Sequence, residues 1–229
     1  MKTIGVLGGL GPQATMDFEA RLHAVSQQLI APHRNRGYPP LLVYHYRHAP
    51  FLMQDEHMPV LPPQPDPRLL EAVKKLGAWT DFLVIASNGV HILQEALEQA
   101  SGLTVLSMIE VTLGEVHRRG WNKVGVVTMG PPLVYTVPLE KQGIAYASIS
   151  QTLAGRLNQA ILKYQAGQED ATDRAITHEA IRALRDQGVD GSILGCTEIP
   201  LLLQGEANLP DLLNPAQLLA EAAVRYALE

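Results

Sequence analysis

With 229 residues, of which 46% are hydrophobic and 18% charged, the chain can bury a sizeable core; its length suits one large or two small α/β domains and its composition excludes a disordered or fibrous protein. A formal net charge of −5 with scattered basic residues leaves no electrostatic footprint for nucleic acid or an anionic membrane, so the expected partner is a small molecule. The single cysteine, Cys196, excludes an internal disulfide and a zinc site built from several thiolates; a buried apolar filler and a functional thiol both remain open, and a cytoplasmic setting fits either.

In chain order, the apolar stretch 4–10 is broken by Gly8, Gly9, Gly11 and Pro12 and followed by Asp17 and Glu19, which excludes a signal peptide or membrane span. Short, near-continuously hydrophobic runs predict buried parallel strands at 3–7, 40–45, 81–85, 103–108, 124–128, 145–149 and 192–194. Between them, amphipathic spacing predicts helices at 14–29, 67–76, 91–100, 111–119, 153–165 and 171–187. The alternation argues for an α/β fold with parallel sheets. His33, Arg34 and Arg36 form a short basic cluster, expected to be a solvated loop. The segment 58–67 carries Pro59, Pro62, Pro63, Pro65 and Pro67 and is expected to be a stiff loop, either a connector or a cover over the site.

The chain repeats itself faintly. Ile4-Gly5-Val6-Leu7 is echoed by Val124-Gly125-Val126-Val127, 120 residues on. The run from Asp81 to Asn88 is echoed by the run from Asp190 to Thr197, which sets Ser87 against Cys196 at an offset of 109. The economical reading is two related Rossmann-like α/β domains, 1–112 plus 212–229 contributing Ser87 and 113–211 contributing Cys196, each residue at an equivalent strand end.

Candidate chemistry gathers at those strand ends. The turn Gly8-Gly9-Leu10-Gly11-Pro12-Gln13 places backbone N–H groups where an anion could bind; its loose match to a dinucleotide fingerprint lacks the acidic residue that should close the second strand. Cys196 is expected at a helix start, where the macrodipole and free amides lower a thiol pKa. His91, four residues after Ser87, invites a Ser/His pair, but the nucleophile-elbow glycine is missing; tuning Asn88 or packing behind the site is the alternative. His45 and His48 are too few for a metal site, and one of them is expected to line the cleft. Glu198 is expected either to complement the dipole of a first helical turn or to steer a substrate amine.

Three motifs, Gly-Gly-Leu-Gly-Pro-Gln-Ala-Thr from Gly8, Ser-Asn-Gly-Val-His from Ser87 and Gly-Cys-Thr-Glu-Ile-Pro from Gly195, together resemble the signatures of the aspartate/glutamate racemase superfamily, in the family's order and over nearly the whole chain. The resemblance implies two pseudo-symmetric α/β domains with the active site between them and no cofactor. It also implies a small acidic substrate such as aspartate or glutamate, and a homodimer. It makes Cys196 an acid/base at the α-carbon, with Ser87 where the family has a second cysteine. Gly9, Leu10, Gly11, Asn88, Thr128 and Thr197 become carboxylate contacts, and Tyr135 fits the family's tyrosine in the second domain. Three departures stand out: Ser87, whose hydroxyl is far too weak an acid to be a standing base; Gly89 in place of threonine; and the loss of the family's usual arginine, for which Arg47 is the candidate substitute. Racemisation weakened or made one-sided, a one-thiol decarboxylase or isomerase, and non-catalytic carboxylate binding are the readings this leaves.

Overall fold

The computed structural model describes residues 1–31, 37–55 and 58–229, so the basic cluster at His33, Arg34 and Arg36 lies outside the described residues. The chain divides into two compact units, one of Met1–Met108 with Ala216–Glu229 and one of Ile109–Pro215. The boundaries thus fall four residues earlier and four later than the sequence repeat suggested.

The first unit runs β1 (Ile4–Gly8), α1 (Pro12–Leu29), β2 (Leu41–His45), α2 (Pro67–Gly77), β3 (Phe82–Ile85), a 3₁₀ turn (Gly89–Leu93), α3 (Gln94–Ser101) and β4 (Val105–Leu106). Its four strands are all parallel, in the order β2-β1-β3-β4. Leu7, Leu69, Val73, Leu83, Ile85 and Leu97 belong to its buried core, consistent with strands covered by helices.

The second unit runs α4 (Met108–Arg118), β5 (Lys123–Val127), α5 (Leu133–Lys141), β6 (Ala145–Ala147), α6 (Gln151–Gln165), α7 (Ala171–Arg185), β7 (Gly191–Leu194), α8 (Ile199–Leu203), a 3₁₀ turn (Gln204–Asn208) and β8 (Leu212–Leu213). Its strands are again all parallel, in the order β6-β5-β7-β8. Leu153, Leu157, Ile161, Ile181, Leu184 and Leu194 fill its core.

Strand for strand the two orders match, and the register matches too. Gly5 pairs with Leu83 and Gly125 with Ser192, which keeps the offset of the Ser87/Cys196 pairing. A methyl on Gly5 would lie 2.6 Å from the Leu83 side chain, and one on Gly125 would lie 2.6 Å from Ser192 Oγ. Both units therefore need a residue without a side chain on the first strand, where the neighbouring strand packs tightly across it.

The last helix, α9 (Pro215–Leu228), returns to the first unit. The backbone N–H of Lys2 donates to Ala227 O at 2.8 Å, Tyr226 meets Phe82 edge to face at 4.8 Å, and the Lys2 ammonium sits 3.6 Å from the Tyr226 ring centre.

Several expected elements change shape. The strand expected at 103–108 is only Val105–Leu106, because Met108 already opens a helix. The helix expected at 91–100 begins as a 3₁₀ turn, and α5, α8, β8 and α9 were not anticipated as elements. The proline-rich segment folds back on itself, with bridges Phe51–Pro65 and Met53–Pro59 and the Leu52 N–H donating to Gln64 O at 2.8 Å. Among the described residues no helix is long and apolar enough to cross a membrane.

Candidate active site

On the first unit the β1–α1 turn is tightly specified. Gly9 has φ +81°, and a methyl there would lie 2.6–2.7 Å from the backbone of His45 and Tyr46, so only glycine fits. The Gly9 N–H donates to Thr15 Oγ1 at 2.8 Å, and the Thr15 hydroxyl donates to Gly11 O at 3.0 Å. The Gly9 amide is therefore spent inside the turn, a correction to its expected role as a carboxylate donor. The turn's neighbours Leu10 and Gly11 keep their place beside β1, with Gly11 capping α1 without a side chain.

Beside this turn opens a cleft of about 490 Å³. Gly9 and Leu10 line it from the first turn, Arg47 to Phe51 from the segment after β2, and Ser87, Gly89 and Val90 from the end of β3. Ser87, Gly89, Leu10 and Arg47 thus line one cleft. Arg47 is exposed and makes no ion pair within the chain among the described residues. Of the two histidines weighed for the cleft, His48 lines it, and its Nδ1 lies 3.5 Å from Arg68. Arg68 in turn grips Asp66, the cap of α2, at 2.8–3.0 Å; this hydrogen bonding holds the Asp66 carboxyl below its ordinary pKa. His45 faces Glu19 instead, at 3.5 Å. Among the described residues no group of three or more His, Cys, Asp or Glu could hold a metal ion.

His91 settles what stands behind Ser87. Its Nε2 accepts the Met108 backbone N–H at 3.0 Å, so the ring proton is on Nδ1, which donates to the Ser87 carbonyl at 2.7 Å. Burial pushes its pKa down to about 4, against smaller opposing effects of backbone hydrogen bonds. The imidazole is therefore neutral, with both nitrogens committed to backbone. It positions the strand end and offers the Ser87 hydroxyl no base, which excludes the Ser/His pair. Asn88, next to it, is buried.

On the second unit Gly195 ends β7, its N–H donating to Val127 O at 2.8 Å, and a methyl there would lie 2.7 Å from Thr128 and 3.1 Å from the Tyr135 ring. Tyr135 is fully buried and bonded to Thr112, and sits in α5 rather than in a loop; the Thr128 hydroxyl donates to Gly130 O at 2.9 Å. Cys196 and Thr197 follow in a turn, and the five-residue α8 begins only at Ile199.

The expectation of a thiol acidified by a helix start is overturned. The Cys196 thiol donates to Glu198 Oε2 at 3.1 Å, and burial, together with the charge of that carboxylate, pushes its pKa well above the ordinary value. The backbone amides of Glu198 and Met129 act the other way but are outweighed. Glu198 is only 3% exposed; it stands at the N-cap of α8, but its side chain makes no capping hydrogen bond. Its Oε2 also accepts from the Thr197 hydroxyl at 3.0 Å, and its Oε1 accepts from Gln165 Nε2 at 2.8 Å. Gln165, at the end of α6, was invisible in the sequence because nothing in its spacing ties it to residue 198.

The comparisons with known proteins agree with this architecture. Residues 7–223 match the family model Asp/Glu/Hydantoin racemase. The broad specificity amino-acid racemase RacX of Bacillus subtilis is 26% identical over 114 residues, 49% of this chain and 48% of that protein, so the match spans about half of that curated relative. The solved structure of an aspartate racemase homologue from Pyrococcus horikoshii is 22% identical, covers both chains fully and superposes with a TM-score of 0.77. That of Picrophilus torridus aspartate racemase is 20% identical and covers 99% of this chain and 94% of its own, with a TM-score of 0.78. At such identities the structures show a shared fold, and the family match over nearly the whole length carries the assignment: this chain belongs to the Asp/Glu/hydantoin racemase family.

Proposed function

We propose that the protein is a cofactor-independent amino-acid racemase acting on an acidic amino acid such as aspartate or glutamate, with Cys196 as the thiol acid/base and Ser87 in place of a second one. The observation that carries this reading is the 3.1 Å contact between Cys196 Sγ and the buried Glu198 carboxylate. A thiol with a raised pKa is a poor base alone; one beside a carboxylate has an acceptor for its own proton. Glu198 takes that proton and the thiolate removes the α-proton; its return by the same thiol regenerates the starting enantiomer, and inversion needs a proton delivered to the opposite face, the part this reading gives to Ser87 or a water bound by it. The amides of Glu198 and Met129 stabilise the thiolate while it exists.

Recognition of the substrate falls to the cleft residues in this reading. Arg47 supplies a cation for a carboxylate, and Gly89, with nothing within 4 Å of a would-be methyl, leaves room for the substrate's own side chain. Asn88, Thr197 and the turn at Leu10 and Gly11 belong to the same proposed binding set. Assembly as a homodimer is part of the proposal.

A second reading is favoured by His91. Because both its nitrogens are engaged, Ser87 lacks a base, which suits a one-thiol enzyme that donates a proton to a planar carbanion, as a decarboxylase or isomerase would. Incubating L- and D-aspartate, L- and D-glutamate and substituted malonates in deuterated water separates the two by NMR. Deuterium entering an amino acid at its α-carbon with appearance of the other enantiomer supports the racemase, exchange without inversion means one working base, and carbon dioxide released from a malonate supports the decarboxylase. Binding without either outcome reduces the protein to a carboxylate-binding one.

A further inference from the structure

Gln165 lies outside every motif that points to the site, yet its amide reaches the centre of it. Its Nε2 donates to Glu198 Oε1 at 2.8 Å, while Oε2 accepts from the Cys196 thiol and the Thr197 hydroxyl. The carboxylate thus has one oxygen turned to α6 and one to the sulfur. At 3% exposure it has little water to fall back on, so a donor lost there is not replaced. On α6, Lys163 is tied to Asp173 at 3.2 Å and Arg156 to Glu179 at 2.8 Å.

We propose that Gln165 is a positioning residue for Cys196: by donating to Oε1 it holds the Glu198 carboxylate with Oε2 facing the sulfur, where it accepts the thiol proton. The equilibrium concerned moves one proton, thiol plus carboxylate against thiolate plus carboxylic acid. A hydrogen bond from an amide N–H favours the carboxylate side. Without that donor the carboxylate can turn from the sulfur, which takes away the like charge that raises the thiol pKa and populates the thiolate. This rests on the reading of Cys196 as the acid/base, but the test below reads the sulfur and not turnover.

With only one cysteine in the chain, alkylation by iodoacetamide reports that sulfur alone. Rates are followed from pH 5 to pH 10 for the full-length protein, Gln165→Met, Glu198→Gln and the double variant. The expected result is a rate at pH 7 raised about tenfold by Gln165→Met, the change that one pKa unit of the thiol makes, with the profile moved to lower pH. In the Glu198→Gln background the same change leaves the rate unmoved. Gln165→Leu, a neutral side chain with no donor, stands in should the methionine variant fail to fold. An unchanged rate in both variants, or an equal gain with and without Glu198, overturns the proposal, the latter because it would mean simple loosening around the sulfur. Should no amino acid exchange its α-proton while the alkylation cycle behaves as stated, the racemase reading falls and the role of Gln165 stands.

Discussion

Gly89 and Glu198 occupy the same place in the two units, each the second residue after the strand-end Ser87 or Cys196. The matching sheet orders and the pairing of Gly5 with Leu83 and Gly125 with Ser192, in which Leu83 and Ser192 stand 109 residues apart as Ser87 and Cys196 do, fix this equivalence. On the thiol side the position holds a buried carboxylate bonded to the sulfur; on the hydroxyl side it holds no side chain at all. The duplicated framework therefore sets a carboxylate beside the strand-end residue in one unit only.

Glu198→Gln should separate the two effects of the carboxylate. Burial and the Glu198 charge both raise the thiol pKa, so in the native protein the sulfur is protonated at neutral pH and alkylation accelerates only as pH climbs beyond the ordinary thiol range. Without the charge the alkylation profile should move to lower pH by about one unit, while α-proton exchange falls by about 10²-fold for want of an acceptor. A stopped assay of iodoacetamide incorporation across pH checks the first, and NMR exchange the second.

Rebuilding the missing pair on the first unit should strengthen racemisation. Ser87→Cys with Gly89→Glu places a thiol and a carboxylate at the positions equivalent to Cys196 and Glu198, and Gly89 has open space for the new side chain. Racemisation should rise by about tenfold or more, the low side of the roughly 10²–10⁴ that a positioned acid or base contributes. Polarimetry on both enantiomers measures it; no gain from a folded double variant counts against the equivalence.

His91 should make stability pH-dependent. Its folded pKa of about 4 lies below the unfolded value of about 6.5, so the unfolded chain binds the extra proton first. Stability from this residue is complete above the unfolded value and is lost as pH falls from about 6.5 towards 4, by about 3 kcal/mol in all. His91→Gln keeps a side chain able to accept from Met108 and donate to Ser87 without titrating. Urea unfolding at a series of pH values should show a shallower acid decline for the variant.

Two glycines of the cleft should respond differently to alanine. Gly9→Ala forces a side chain onto a left-handed residue packed against the backbone of Tyr46, and should cost about 2–4 kcal/mol. Gly89→Ala meets nothing within 4 Å and should change stability by no more than about 0.5 kcal/mol. Chemical denaturation of the two variants provides the comparison.

Much of this was legible in the sequence because it is written in short-range patterns. The apolar runs at Ile4–Gly8 and Phe82–Ile85 carry the strand signal directly, and the echo between Ser87 and Cys196 gave the pairing of the two units' strand ends. Helix α5 was hidden by Pro131, Pro132 and Pro138, which read as breakers although the first two precede the helix and Tyr135, Thr136 and Leu139 bury one side of it. Helix α9 is rich in alanine and buried along Leu219, Ala220, Ala223, Val224 and Ala227, so its polar face narrows to the stripe Gln217, Glu221 and Arg225. At the site, the residue types were readable but their proton states were not. Whether a thiol is acidified depends on what it faces, and the bonds from Cys196 to Glu198 and from Glu198 to Gln165 are matters of side-chain direction that no spacing rule encodes.

The most direct test of the central claim, that Cys196 is the one working acid/base, is the stereochemistry of α-proton exchange in deuterated water. The native protein should exchange one enantiomer of its substrate much faster than it inverts it, Ser87→Ala should preserve that exchange, and Cys196→Ala should abolish it. Exchange persisting at the native rate in Cys196→Ala, or lost in Ser87→Ala alone, would contradict the account.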